Sequence, residues 1–125
     1  MIDIKDRVKS AAAAAKITTS EKAAEYIKDG MNVGVSGFTP SGYPKAVALA
    51  LAAKVKAGAK IKINLCTGAS VGPELDGELA KAGVIARRMP YQTNKDLRDA
   101  INTGKIAYFD MHLSAAAQNI RYGFL

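Results

Sequence analysis

Glycines and hydroxyl side chains concentrate in three short stretches of this 125-residue chain, a combination suited to binding an anion. Glycines let the backbone approach a ligand and turn its N–H groups toward it, while serine and threonine hydroxyls donate hydrogen bonds. The glycines are Gly37, Gly42, Gly68 and Gly72, and the hydroxyl residues are Ser36, Thr39, Ser41, Thr67, Ser70 and Thr93. These stretches predict a carboxylate or phosphate ligand, although the same residue types also build ordinary turns.

None of these stretches carries a complete phosphate-binding motif. The spacing from Gly37 to Gly42 resembles the start of a P-loop, but the Lys-Ser/Thr pair that should follow is absent. Three carboxylates, Glu74, Asp76 and Glu78, stand at a predicted helix start. Carboxylates there either complement the positive end of the helix dipole or take part in acid–base chemistry.

The chain has a single cysteine, Cys66, and a single histidine, His112. One cysteine excludes an internal disulfide framework, and the two residues together exclude a cysteine-rich zinc site or a histidine cluster, so no metal ligand is assigned. A reducing, cytoplasmic setting is the expectation. We interpret Cys66 as a small packed residue and His112 as a residue that caps or packs.

Charge and composition limit the classes of protein to which the chain can belong. A length of 125 residues predicts one compact domain, and 49% hydrophobic residues with 23% charged residues of mixed sign exclude wholesale disorder. The net charge is +7. No apolar run reaches the ~20 residues that span a bilayer, so no membrane partner is expected. The spread basic residues indicate either a solvated basic face or an anionic ligand. Arg87 and Arg88 would point to opposite faces of a strand, so at most one serves the glycine stretches.

Helix signals dominate the first part of the chain. The alanine run predicts a helix over residues 3–14, because alanine has the highest intrinsic helix propensity. Thr18 and Glu21 have the spacing of a capping box and predict a second helix that ends at Gly30.

Strands and helices alternate after this point. The predicted strands are residues 31–36, 61–65, 84–86 and 106–109. The predicted helices run from Pro44 to Gly58, from Pro73 to Gly83, from Thr93 (capped together with Asp96) to Gly104, and over residues 113–122. This alternation is the pattern of βαβ units, so we predict an α/β fold in which a mostly parallel sheet has flanking helices.

Such a fold would bring the three polar stretches to one edge of the sheet. Ligands of open parallel sheets bind outside the carboxyl ends of the strands, and residues 36–43, 67–72 and 90–93 all follow strands there. Helices that begin near Pro44 and Pro73 would direct their positive dipole ends to the same rim. We therefore hypothesise that this rim binds a carboxylate or a phosphate.

Several strings on or beside this rim match one family when their order and spacing are considered together. They are residues 35–39 with 42–45 (VSGFT, GYPK), 67–80 (TGASVGPELDGELA), 88–93 (RMPYQT) and 108–113 (YFDMHL). In this arrangement the chain resembles the amino-terminal part of the acetyl-CoA hydrolase/transferase family, among class I CoA-transferases of the succinyl-CoA:acetate type. The resemblance extends from about Thr19 onward, and the long second string is its most specific part.

The resemblance implies an enzyme larger than 125 residues. Members of the family are two-domain proteins that exchange CoA between short-chain carboxylates such as acetate and succinate, with a CoA thioester as substrate and no bound prosthetic group. A glutamate of the second domain attacks the thioester and passes through an acyl-glutamyl anhydride to a glutamyl-CoA thioester. Residues 1–125 are then one incomplete, CoA-transferase-like α/β domain without a catalytic residue. We expect it to be inactive alone and to associate with the missing domain and into homo-oligomers.

The resemblance also assigns residues to the carboxylate side of the site. Ser70 and Thr93 match positions that hold the acyl or carboxylate group. The other matched substrate-binding residues form the wall of the cleft: Gly37, Phe38, Gly42, Tyr43, Thr67 and Gly68. The alternative is a non-enzymatic α/β module that binds an anion or a nucleotide through the glycine loops. A nucleic-acid partner has only the net charge in its favour and is not expected.

Overall fold

The computed structural model describes residues 7–69 and 71–123, and the first described helix is shorter than the sequence suggests. Helix α1 spans Ala11–Ala14, and the Ser10 side chain caps it by accepting a hydrogen bond from the backbone N–H of Ala13. The predicted continuous helix over residues 3–14 is therefore wrong at Ser10, whose backbone is extended. Its first residues lie outside the described ones. The serine hydroxyl competes with the helix by offering its oxygen to a free N–H group.

Helix α2 spans Ser20–Ala24 and begins one residue later than the predicted capping box. Thr19, rather than Thr18, accepts the hydrogen bond from the N–H of Lys22 at 3.3 Å. The helix also ends well before Gly30. Gly30 does adopt a positive φ, as a chain reversal requires, and its N–H donates to the Lys62 carbonyl at 2.7 Å. It thus positions the first strand rather than ending the helix.

The described residues form one sheet of four parallel strands, which confirms the predicted α/β class. The strands are β1 (Asn32–Gly34), β2 (Ile63–Cys66), β3 (Ile85–Met89) and β4 (Ala107–Tyr108). Each strand pairs with the next one in the chain, so the order in the sheet is the order in the sequence. The first and last strands are shorter than predicted, whereas β3 is longer and continues through both arginines to Met89.

The helices after each strand follow the predicted pattern with local differences. They are α3 (Lys45–Lys56), a π-helical turn (Pro73–Gly77) that leads into α4 (Glu78–Lys81), α5 (Lys95–Asn102) and α6 (Leu113–Tyr122). Helix α6 has its predicted bounds. The predicted Thr93–Asp96 cap of α5 is wrong, because the Asn94 side chain accepts from the Leu97 N–H at 3.1 Å.

The core lies on one face of the sheet only. Side chains from β1 and β2 pack against α3 and the π-turn–α4 segment, and the fully buried members include Leu51, Ile63, Leu65 and Leu79. The alternate strand residues face the other way, and of these Asn32 and Arg87 are exposed. Helix α6 has no buried residue. This layering leaves the second face of the sheet and its carboxyl edge accessible.

Candidate functional site

The loops that follow β1 and β2 contact each other at the carboxyl edge of the sheet. The N–H of Val35 donates to the Cys66 carbonyl at 2.8 Å, and the N–H of Thr39 donates to the Ala69 carbonyl at 3.0 Å. Gly37 and Gly68 lie so close that a Cβ on Gly68 would overlap the Gly37 carbonyl oxygen. Two of the three stretches in the predicted rim therefore form one continuous surface.

The third stretch lies beside them and is held by Arg88. The N–H of Thr67 donates to the Met89 carbonyl at 3.0 Å, which joins the loop after β2 to the end of β3. The Arg88 guanidinium donates to the carbonyl oxygens of Met89 and Pro90, across a cis Met89–Pro90 peptide bond. The predicted rim of three neighbouring loops is thus present in the structure.

A buried ion pair connects this edge to the helix layer. The Arg88 guanidinium contacts both carboxylate oxygens of Asp76, with nitrogen–oxygen distances of 2.9 and 3.1 Å. Both side chains are fully buried. The sequence suggested that Asp76 complements the helix dipole, and it did not indicate that Arg88 is the partner of this carboxylate. Arg88 therefore acts inside the protein, and Arg87 is the arginine that points outward.

The other two carboxylates of the acidic cluster make separate contacts. Glu78 pairs with Lys56 at 2.8 Å and with Lys81 at 3.3 Å, on the exposed side of the helix layer. Glu74 accepts a short hydrogen bond from the Tyr43 hydroxyl, and its other oxygen lies 3.3 Å from the Lys45 ammonium. The three carboxylates thus have three different sets of partners, and they do not form a common acid–base site.

The Tyr43 side chain connects the loop after β1 to the loop after β2, because it packs against Gly37 and Gly72 and donates a hydrogen bond to Glu74. It is buried, and a Cβ on Gly37 or Gly72 would collide with it, so only glycine fits at both positions. The hydrogen bond to Glu74 raises the pKa of Tyr43 above its ordinary value of 10.0. The same bond, helped by a backbone N–H, lowers the pKa of Glu74 below its ordinary value of 4.5.

We expect the stability contributed by this bond to depend on pH. Because the pKa of Glu74 is lowered, its contribution is present above pH 4.5 and is lost as the pH falls through the lowered value. Because the pKa of Tyr43 is raised, its contribution is present below pH 10.0 and is lost as the pH rises through the raised value. Tyr43→Phe should therefore lower the urea midpoint at neutral pH and lose this difference at both extremes.

The matched control for this prediction is Tyr26→Phe, which removes an exposed hydroxyl from the same type of ring. Its urea midpoint should follow the wild type at every pH. A Tyr43→Phe difference that stays constant from acid to alkaline pH would show that the hydroxyl contributes through packing alone.

A cleft of about 740 Å³ opens at this edge of the sheet. The predicted binding residues Phe38, Thr67 and Gly68 line it. Gly37 and Tyr43 pack behind these lining residues. Gly42 lies in the turn before Tyr43, where it has a positive φ of 73°. Thr93 is exposed and is not part of the lining. Ser70 lies outside the described residues. The structure therefore places three of the predicted residues in the cleft, two behind it and two away from its lining.

One wall of the cleft was missed in the sequence analysis. Leu113, Ala116 and Ile120 of α6 face the cleft, together with Met111 and Asp110 just before the helix. Their spacing of three and four residues places them on one face of the helix, and this spacing is the signal that could have identified them. The lining is predominantly apolar, so the cleft suits an acyl chain or another apolar group near the polar loops.

The remaining candidate residues have structural contacts. Burial is the main reason why the pKa of Cys66 is raised, so its thiol is not activated as a nucleophile. The Nδ1 atom of His112 accepts a hydrogen bond from the Ser114 N–H at 3.3 Å and caps α6.

Within residues 7–69 and 71–123, no cluster of three His, Cys, Asp or Glu could hold a metal ion. None of the helices described has the length and apolarity needed to cross a membrane.

Comparison with known proteins connects this rim to a family. The family model described as the acetyl-CoA hydrolase/transferase N-terminal domain matches residues 1–125. The chain belongs to this family. The matched region includes the loops after β1 and β2, the residues around Arg88 and the start of α6.

The relatives within the family are named either as CoA-transferases or as acetyl-CoA hydrolases. The succinyl-CoA:acetate CoA-transferase of Clostridium kluyveri is 55% identical over 111 residues, which are 88% of this chain and 21% of the relative. The propanoyl-CoA:succinate CoA transferase of Escherichia coli is 42% identical over 85% of this chain and 22% of its own length. The acetyl-CoA hydrolase of Candida glabrata is 43% identical over 97% of this chain and 23% of its own length. The chain thus spans less than a quarter of these curated relatives.

Proposed function

We propose that the chain forms the amino-terminal part of a CoA-transferase that exchanges CoA between short-chain carboxylates such as acetate and succinate. The observation that carries this proposal is the contact of the two glycine loops at the mouth of an apolar cleft. The strings that build these loops are also those that resemble the family. Acetate and succinate appear in the name of the Clostridium relative, which is a transferase, and this supports transfer over hydrolysis as the reaction.

In this proposal the rim is the carboxylate side of the active site. Ser70 and Thr93 hold the acyl or carboxylate group through their hydroxyls. The wall is formed by Phe38, Thr67 and Gly68, which line the cleft, by Gly37 and Tyr43 behind them, and by Gly42 in the turn before Tyr43. Their glycine backbones can approach the substrate closely, and the apolar lining keeps water from the reacting group.

The chemistry would come from a glutamate outside these 125 residues. Its carboxylate oxygen attacks the thioester carbonyl, the carbon–sulfur bond breaks, and CoA leaves as a thiolate. The thiolate then attacks the glutamyl carbonyl of the anhydride, which releases the first carboxylate and leaves a glutamyl-CoA thioester. A second carboxylate reverses these steps and takes the CoA. The net charge of +7 attracts both the anionic thioester and the carboxylates to the protein.

Several properties of the whole enzyme follow as parts of the same proposal. The 125-residue chain alone is inactive, since it lacks the nucleophile. It works with a second domain, in homo-oligomers, in the cytoplasm, with no bound prosthetic group. Exposed apolar residues on α6 and beside β4 support association, because surfaces of this kind mark contacts with other polypeptides.

A chimera tests the proposed function. In it, this chain replaces the matching segment of the Clostridium kluyveri succinyl-CoA:acetate CoA-transferase, and transfer of CoA from succinyl-CoA to acetate is measured. We expect turnover by the chimera and none by the 125-residue chain alone. A folded but inactive chimera, or turnover by the isolated chain, would contradict the proposal.

The assignment of Ser70 is tested in the same chimera. Ser70→Ala removes a hydroxyl from the carboxylate side, so the KM for acetate should rise by about tenfold while the KM for succinyl-CoA changes less. The control is Ser20→Ala, which removes an exposed hydroxyl from the first residue of α2 and should leave both constants unchanged. Equal KM values for acetate in wild type and Ser70→Ala would remove Ser70 from the site.

A further inference from the structure

A small pocket that contains polar side chains lies on the face of the sheet that no helix of the core covers. Its volume is about 150 Å³, and its lining includes Asn32, Asn64, Cys66, Arg87 and Phe109. The strand register places Asn32 beside Asn64 and Asn64 beside Arg87, so these three side chains form a row across β1, β2 and β3. The amide of Asn64 donates to the Asn32 amide oxygen at 2.8 Å, which orders one end of the row.

The cation at the other end of the row has no anionic partner in the described part of the chain. Arg87 is exposed and takes part in none of the ion pairs formed there. Its neighbour Arg88 shows the opposite arrangement, because it is fully buried against Asp76. Parallel sheets are normally covered on both faces, so a lone arginine in the middle of an open face needs a partner when that face is covered.

We propose that this face binds a segment of CoA-transferase polypeptide from outside residues 1–125, and that an Asp or Glu of this segment pairs with Arg87. The inference rests on the proposed function, since it takes the occupant from the remainder of the enzyme. The relatives contain enough further polypeptide to supply such a segment, because this chain spans only 21–23% of the length of the three described above. The pocket accepts a side-chain carboxylate, and the exposed ring of Phe109, which lines it, supplies apolar contact area.

Charge complementarity decides the chemistry of the occupant. A purely apolar segment would bury the Arg87 guanidinium without a partner, which is strongly unfavourable because nothing replaces the lost hydration of the charge. A segment with a lysine or arginine at this point would add repulsion to that cost. A carboxylate removes both penalties, and it is the group that matches a guanidinium with two parallel hydrogen bonds.

Cys66 offers a probe of this contact, because it lines the same pocket. In the isolated chain, burial raises the pKa of Cys66, and the positive charges of Arg88 and, to a smaller extent, Arg87 lower it against this effect. Arg87→Gln should therefore slow alkylation of Cys66 by iodoacetamide, because the thiolate is the reactive form. In the Clostridium chimera the covering segment should protect Cys66, and Arg87→Gln should speed its alkylation by at least about tenfold.

The experiment follows alkylation of the Cys66 peptide by mass spectrometry in both proteins. Arg98→Gln, which removes an exposed arginine from α5, is the matched control and should change neither rate. Arg87→Lys retains the charge and should keep part of the protection. The inference is overturned if Cys66 reacts in the chimera as fast as in the isolated chain, or if Arg87→Gln slows alkylation in both.

CoA transfer, measured on the same chimera, separates this inference from the proposed function. Arg87-dependent protection of Cys66 in a chimera that transfers no CoA would support the contact and contradict the proposed function. Transfer of CoA by a chimera whose Cys66 is unprotected would support the proposed function and overturn the contact.

Discussion

Replacement of Arg88 by alanine is expected to destabilise the chain by about 3–5 kcal/mol, since it leaves the Asp76 carboxylate buried without its partner. The guanidinium also donates to the carbonyl oxygens of Met89 and Pro90, and these acceptors would lose a charged donor. Domains of this size are usually stable by only about 5–15 kcal/mol. The substitution should therefore remove a large share of the total stability.

Urea unfolding, followed by circular dichroism, measures this effect. The double variant Arg88→Met/Asp76→Leu replaces both charges by apolar side chains and should recover at least half of the lost stability, because no unpaired ion remains. The exposed pair between Lys95 and Asp99, at 2.5 Å, provides the control. Lys95→Ala should have only a small effect, because exposed ion pairs contribute little. If Arg88→Ala and Lys95→Ala had similar effects, the buried pair would have no special role.

Gly68→Ala is expected to separate the two glycine loops and to cost about 3 kcal/mol, at the upper end of overpacking effects. A Cβ at this position would overlap the carbonyl oxygen of Gly37 and lie 2.9 Å from its carbonyl carbon. Both atoms belong to the backbone, so no side chain can rotate away to relieve the clash. The hydrogen bond from Thr39 to Ala69 would also lengthen as the loops move apart.

The control for this prediction is Gly34→Ala in β1. Nothing lies within 4 Å of a Cβ at Gly34, so alanine there should leave the urea midpoint unchanged or slightly higher. In the Clostridium chimera, Gly68→Ala should also raise the KM for acetate, because Gly68 lines the cleft. A Gly68→Ala chain as stable as the Gly34→Ala chain would mean that the loops are not in contact in solution.

The sequence alone determined the class of fold and the edge of the sheet at which to look for a site. Alternating strands and helices predicted the parallel sheet, and α6 has its predicted bounds. Such patterns can be recognised locally because a helix or strand repeats its contacts every few residues. Parallel connectivity then requires the loops after successive strands to share one edge, so the contact of the loops carrying Gly37 and Gly68 follows from the order of elements.

Local capping was harder to predict, because neighbouring residues can satisfy the same free N–H groups. The caps are Thr19 and Asn94, whereas the sequence favoured the adjacent Thr18 and Thr93. Each pair offers an oxygen acceptor within one residue of the helix start, so the pattern does not distinguish them. The direction in which the chain enters the helix decides between them, and that direction depends on the packing of the preceding segment.

Only the tertiary structure decided which side chains pair inside the protein. Glu74, Asp76 and Glu78 look equivalent at a helix start, yet they contact Tyr43 with Lys45, Arg88, and Lys56 with Lys81 respectively. Their spacing fixes the direction of each carboxylate around the helix but not what lies opposite. The opposite residue is set by how the helix layer sits on the sheet. This packing buries Arg88 against Asp76 and leaves Arg87 exposed on the open face.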